Sequence, residues 1–283
     1  MEKLVSTQWL ASSLHDNNLV VVDASAHLPA AGRDPRAEFE QGHIPCAVFL
    51  DLASLFDPGS PVPNALPTAQ QFATRMDSLG ITTKDRVVIY DDSFVKTSAR
   101  AWFMFRMFGH GDVAILDGGL EKWSNENRPL ESGQADRGKA SGYIPASEKR
   151  DNIRTKAQMM DISANGSAQI VDVRDAGRFT GETVDAVHDL PGGHIPGARN
   201  LPFFELYNPD GTFRDASSLR QAFDKAGLDL TRPVIASCGG GVTACTALFA
   251  LETLGHKDGQ LYDGSWSEWG ADPATPKETG PAR

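Results

Sequence analysis

Val234-Ile-Ala-Ser237, Cys238-Gly-Gly-Gly-Val-Thr243 and Ala244-Cys-Thr-Ala-Leu-Phe-Ala-Leu-Glu-Thr-Leu254 follow one another without a break. The first segment is an apolar run of strand type, and the last has helical spacing and good helix formers. The middle one must turn the chain between them. Three glycines let that turn curl so that successive N–H groups converge, and the following helix points its positive end back at the same place. Such a cradle favours an anion. The thiolate is the nucleophilic form of cysteine, which makes Cys238 the candidate nucleophile. The N–H groups of Gly239, Gly240, Gly241, Val242 and Thr243 form its candidate anion hole.

Working outward from this loop, three landmarks occur in the same order in each half of the chain. Leu19-Val-Val-Val-Asp23 and Ile170-Val-Asp172 are apolar runs ending in an acid. Gly42-His-Ile-Pro45 and Gly193-His-Ile-Pro196 are a shared tag. Asp117-Gly-Gly-Leu-Glu-Lys-Trp123 and Asp263-Gly-Ser-Trp-Ser-Glu-Trp269 share D-G, four residues, W. Between the second and third lies a strand-like run, Val87-Val-Ile-Tyr90 or Val234-Ile-Ala236, and then a helical pattern. Strands alternating with helices imply an α/β fold in each half, a mainly parallel sheet flanked by helices on both faces. Sites in such sheets lie at the carboxyl ends of strands. Counting back 25 residues from each D-G sets Asp92 opposite Cys238. Chemistry is therefore expected in the second half only. His43 and His194, present in both tags, are expected to serve structure rather than bind metal.

A length of 283 residues suits two cores, and 40% hydrophobic with 23% charged residues leaves little room for disorder. The stretch around Gly133, Gly138, Gly142 and Pro145 is the expected linker. The expected division is residues 1–135, a linker over 136–154, and 155–283, with Pro273 to Arg283 as a surface tail. A net charge of -10 opposes binding to nucleic acid or anionic lipid. No leader-like or membrane-spanning run is apparent, and a cytoplasmic protein is expected. Cys46, Cys238 and Cys245 form no CxxC and no paired framework. On a helix, Cys238 and Cys245 would be two turns and roughly 10 Å apart, too far for a disulfide. Cys245 reads as core, and Cys46 as a residue packed at a domain surface or core.

Cysteine phosphatases use a loop of this type, but they clamp phosphate with an arginine six positions after the nucleophile, and here that position is Ala244. Sulfur transfer remains. The two G-H-I-P tags, Val171-Asp-Val-Arg174, the C-G-G-G-V-T loop and Trp266-Ser-Glu-Trp-Gly270 together resemble tandem rhodanese-family sulfurtransferases over nearly the whole chain. The uncharged loop is most similar to the 3-mercaptopyruvate branch, because the thiosulfate branch carries basic residues there. The resemblance implies a Cys238 persulfide passed to a thiol, such as a thioredoxin-like protein or small thiol, or to cyanide. No metal or organic cofactor is implied, and Arg178 is the implied clamp for a donor carboxylate. Four positions depart from the pattern. Val187 replaces a second arginine, leaving the adjacent His188 to assist, and Gly240 replaces a loop serine. Ala53 and Asn64 stand where an Asp and a His of a proton relay are expected. A rhodanese using thiosulfate or a small persulfide, and a silent binding module with an idle cysteine, are the competing readings.

Overall fold

The computed structural model describes residues 1–135, 137–140 and 142–282. Asp136 and Ser141 of the expected linker, and Arg283 of the expected tail, lie outside the described residues. Two compact units divide the chain. Met1–Asp57, Leu66–Lys149 and Pro209–Phe213 make the first, and Pro58–Ala65, Arg150–Asn208 and Arg214–Arg283 the second.

Each unit is built on a five-stranded, fully parallel sheet. The first contains β1 (Leu4–Val5), β2 (Leu19–Asp23), β3 (Ala47–Phe49), β4 (Arg86–Tyr90) and β5 (Val113–Leu116), in the order β1-β5-β4-β2-β3. The second contains β6 (Ile153–Arg154), β7 (Gln169–Asp172), β8 (Arg199–Asn200), β9 (Val234–Ser237) and β10 (Gly259–Tyr262), in the order β6-β10-β9-β7-β8. Helices α1 (Thr7–Ser13), α2 (Pro35–Gln41), α3 (Ala69–Ser78), α4 (Ser98–Met107) and α5 (Gly119–Asn125) accompany the first sheet. Helices α6 (Lys156–Asn165), α7 (Ala176–Thr180), α8 (Ala216–Lys225), α9 (Ala244–Thr253) and α10 (Ser265–Trp269) accompany the second. Local chemistry fixes their starts. Thr68 with Gln71, and Thr155 with Gln158, form reciprocal capping boxes at α3 and α6. All five residues of β2 are buried, as a central parallel strand covered on both faces requires.

The landmarks work alike in both units. His43 stacks on Phe39 at 3.9 Å and His194 on Phe179 at 3.8 Å. Nδ1 of each imidazole meets the carbonyl of that same phenylalanine, at 2.7 and 2.8 Å. The histidine backbones exchange hydrogen bonds with Glu131 and Glu278 respectively. Buried Trp123 and Trp269 donate their indole N–H to Pro129 O and Pro276 O, each at 2.8 Å. Tag and tryptophan together strap the end of each half onto its own core. The expected tail lies mostly on the surface among the described residues but is tied down: Thr275 is buried, with Oγ1 donating to Trp269 O, and Gly280 N–H donates to Thr180 O. Much of the expected linker also packs on the first unit. Tyr143 N–H donates to Asp77 Oδ1 at 2.9 Å, and its buried hydroxyl meets His110 Nδ1 at 3.0 Å.

Cys46 is exposed and holds φ +63°, where its counterpart at the end of the second tag, Gly197, holds +79°. A side chain in the left-handed region costs roughly 1–2 kcal/mol, partly offset by the entropy a glycine loses on folding. Cys46→Gly is expected to raise the free energy of unfolding by about 0.5–1 kcal/mol in urea titrations.

Asp23 is buried beside Tyr90 and Asp91, and burial first of all pushes its carboxyl up from 3.8 to about 6, against the hydrogen bonds from Ser25. Between these two values the unfolded chain ionises while the folded one stays protonated. The Asp23 contribution is therefore present at low pH and is lost as pH rises through about 6. The loss amounts to roughly 3 kcal/mol. Asp23→Asn keeps the acceptor for Ser25 N–H. Its stability relative to the parent, followed by thermal unfolding, should improve by up to about that amount between pH 4 and pH 7.

Candidate active site

Cys238 follows β9 directly and is 1% exposed. The loop after it is held from outside. Its two leading carbonyls, Cys238 O and Gly239 O, accept the N–H groups of Trp266 and Ser267 at 3.0 and 2.8 Å. Cys238 N–H donates to Ser265 Oγ at 3.0 Å, and that hydroxyl in turn donates to Tyr262 O at 2.8 Å. Ser265 Oγ also lies 4.0 Å from Cys238 Sγ. Ser265 holds φ +48°, in the slot where the first half has Gly119 at +58°. The third landmark thus clamps the cysteine loop. With the carbonyls tied down, the N–H groups of Gly239, Gly240, Val242 and Thr243 find no acceptor among the described residues. Cys245, on α9, points its thiol to Gly241 O at 3.4 Å and is core.

The first unit shows what such a loop holds. Ala24 N–H bonds Tyr90 O as Val173 N–H bonds Ser237 O, and Leu120 N–H bonds Asp91 O as Trp266 N–H bonds Cys238 O. Strand register and turn both make Asp91, and not the expected Asp92, the counterpart of Cys238. The count from the D-G motif fails because the first loop, 91–97, is one residue longer than 238–243. Thr97 and Thr243 end the two loops with nearly identical dihedrals. Asp92 instead turns outward to Arg33. The Asp91 carboxylate sits in its own cradle, accepting Ser93 N–H at 2.9 Å and Ser98 N–H at 2.7 Å. The matching donors around Cys238 are Gly240 and Ala244.

Beside the loop lies a buried charge cluster. Arg174, 1% exposed, makes a fork with Asp172 at 2.6–3.1 Å and donates to Gly193 O at 2.6 Å. Its guanidinium lies 4.6 Å from the centre of the Trp266 ring. Fully buried Asp185 faces Arg174 Nη1 at 3.5 Å, Arg178 Nη1 at 3.5 Å and His188 Nδ1 at 2.9 Å. Burial raises the Asp185 carboxyl. The His188 hydrogen bond and the charges of His188, Arg178 and Arg174 outweigh it and bring the group down to about 2. Arg178 also bonds Asp175 through Nε at 2.5 Å, and its Nη2 edge has no partner among the described residues. Both sequence-derived binding residues, Arg178 and His188, therefore meet on one acid that the sequence reading missed. Nothing in the irregular 181–193 stretch marks Asp185 as buried. Ser265, also missed, carried a signal: it replaces a glycine in the repeated D-G landmark.

Two parallel α/β units, the second with a buried cysteine at a strand end beside backbone N–H groups that have no acceptor among the described residues, define a tandem α/β protein with one candidate nucleophile. The rhodanese-like domain family matches residues 6–126 and again 155–272, and the chain belongs to that family. It is 39% identical to the 3-mercaptopyruvate sulfurtransferase of Mus musculus over 94% of this chain and 91% of that protein. It is 36% identical to thiosulfate/3-mercaptopyruvate sulfurtransferase 1, mitochondrial, of Arabidopsis thaliana, over 98% and 78%. The crystal structure of SseA from Escherichia coli, a 3-mercaptopyruvate sulfotransferase, superposes with a TM-score of 0.85 at 35% identity, covering 94% of this chain and 99% of that one. The chain is a sulfurtransferase, and as such it works between a small-molecule sulfur donor and an acceptor.

Arg174→Met would leave Asp172 and Asp185 buried without their shared guanidinium. Breaking a buried pair on one side costs about 3–5 kcal/mol. Chemical denaturation is expected to show a loss of that order.

Proposed function

We propose that Cys238 carries sulfur as a persulfide, taken from 3-mercaptopyruvate and passed to a thiol. The acceptor is a thioredoxin-like protein or a small thiol, with cyanide as a substitute. The observation that carries this reading is the Asp91 carboxylate lodged in the twin cradle: the same backbone geometry around Cys238 suits an anion at sulfur. The Cys238 thiolate attacks the donor sulfur, the carbon–sulfur bond breaks with its electron pair going to carbon, and pyruvate leaves. A second thiolate then takes the outer sulfur and regenerates Cys238, a ping-pong cycle without metal or organic cofactor. N–H groups from Gly239 to Thr243, together with that of Ala244, stabilise thiolate and persulfide alike.

Arg178 and His188 are the donor-binding pair in this reading. The open Nη2 edge of Arg178 suits the donor carboxylate, and His188, held by the same Asp185, lines the site on the side of the cysteine loop, where it touches the donor without adding charge to the clamp. Val187 is half exposed, so the site lacks the second guanidinium that the family resemblance implies. The uncharged loop favours a donor whose charge sits away from the sulfur, which separates mercaptopyruvate from the thiosulfate dianion. Three free thiols suit a reducing cytoplasm. Among the described residues no helix is long and apolar enough to cross a membrane.

Single-turnover persulfide formation followed by intact mass tests the proposal, with mercaptopyruvate and thiosulfate offered separately. The protein is expected to gain one sulfur atom from mercaptopyruvate, and Cys238→Ser none. Arg178→Met should raise the half-saturating mercaptopyruvate concentration about 10- to 100-fold, the loss of a charge-assisted hydrogen bond. A gain from thiosulfate alone would make the enzyme a thiosulfate-using rhodanese, and a Cys238→Ser protein that still took up sulfur would refute the persulfide.

A further inference from the structure

The His188 ring lies against the cysteine loop. A methyl group built on Gly239 would collide with His188 Cε1 and stand 3.1 Å from Nε2, and one built on Gly240 would stand 3.3 Å from Nε2. The first two glycines after Cys238 are thus bare on the side where the imidazole sits. A side chain at 240 would reach into the space that Nε2 holds.

The tautomer follows from the partner. Asp185 is ionised and can only accept, so His188 Nδ1 must carry the hydrogen that bridges them at 2.9 Å. In the neutral ring Nε2 is then an unprotonated acceptor, and it has no hydrogen-bond partner among the described residues. The ring remains partly open to solvent while Asp185 is fully buried. A buried acid, an oriented imidazole and a free nitrogen over the nucleophile loop form an arrangement that takes up and returns a proton.

Given the donor and persulfide proposed above, we propose that His188 is the proton carrier of the first half-reaction, with Asp185 as its positioning residue. The Cys238 thiolate bonds to the donor sulfur, which still bears its hydrogen. The carbon–sulfur bond breaks, and its electron pair leaves an enolate on the departing α-keto acid. His188 Nε2 takes the proton from the outer sulfur and delivers it to the enolate carbon. Thiolate and mercapto-keto acid become persulfide anion and methyl keto acid, with atoms, charge and electrons conserved. The imidazolium formed midway pairs with Asp185 on its own segment, which also meets Arg178 on α7 and Arg174 after β7, and it stands against Gly239 and Gly240 of the loop that Cys238 opens. Asp185 is its counter-charge.

His188→Ala and His188→Gln are to be compared with the parent in single-turnover pyruvate release and persulfide mass over a range of mercaptopyruvate concentrations, with and without added imidazole. The maximal rate is expected to fall by about 100-fold or more in both variants while the half-saturating concentration changes much less. Added imidazole should restore at least about tenfold to His188→Ala. In Asp185→Asn the imidazolium loses its counter-charge, and the pH profile of the maximal rate should move toward lower pH. A rate unchanged in both variants, a loss confined to the half-saturating concentration, or a loss that imidazole leaves untouched would each overturn the assignment. Parent protein that gains no sulfur from mercaptopyruvate would overturn the donor reading itself, and the role of His188 with it.

Discussion

The second half is organised around a guanidinium that cannot reach water. Arg174 stays charged at any pH a protein meets, so its burial has to be matched by fixed acceptors. Asp172 at the end of β7 supplies one side, the Gly193 carbonyl of the tag another, Asp185 a third, and the face of Trp266 covers it. Strand end, tag and D-G-x4-W segment are thereby tied to one point. The same Trp266 whose ring lies over the guanidinium grips the Cys238 carbonyl through its backbone N–H. The shape of the nucleophile loop and the charge cluster beside it are consequences of one ion pair.

The first half shows the fold without that pair. Ser25 stands where Arg174 would be, and Asp23 keeps the place of Asp172 without a counter-ion. Burial then drives the Asp23 carboxyl toward its neutral form, as the physics of an unpaired acid demands. The sheet order, the stacked histidine and the strapped tryptophan survive unchanged. The packing shared by both halves and the charge cluster found in the second therefore rest on separate residues: His43, Phe39 and Trp123 on one side, and the residues around Arg174 on the other.

Much of this was legible in the sequence because it repeats. Apolar runs ending in Asp23 and Asp172 gave the central strands, and strand, three glycines and helix gave the cradle. The single cysteine at a strand end singled out the second half. What escaped detection was non-periodic. Asp185 lies in an irregular stretch, and its burial depends on Arg174 and Arg178 from outside that stretch as well as on His188 within it, whereas Ser265 could have been found where it takes the place of Gly119 in the repeated landmark. The pairing of Asp92 with Cys238 failed by one position because a count of residues cannot locate an insertion. Only strand register shows that the longer loop begins at Asp91. The polar ends read as linker and tail were held by indole and backbone hydrogen bonds that no propensity encodes.

The one-residue difference between the loops bears on how a duplicated fold can accommodate a cradle that has no cysteine. Simple loss of the nucleophile would have left convergent N–H groups without a partner, a standing penalty in a folded protein. Asp91 fills that place with a carboxylate borne on the chain itself, where the second half has a cysteine. The first half thus carries in its own side chain the negative charge that, in the reading proposed above, its sibling would hold only on sulfur.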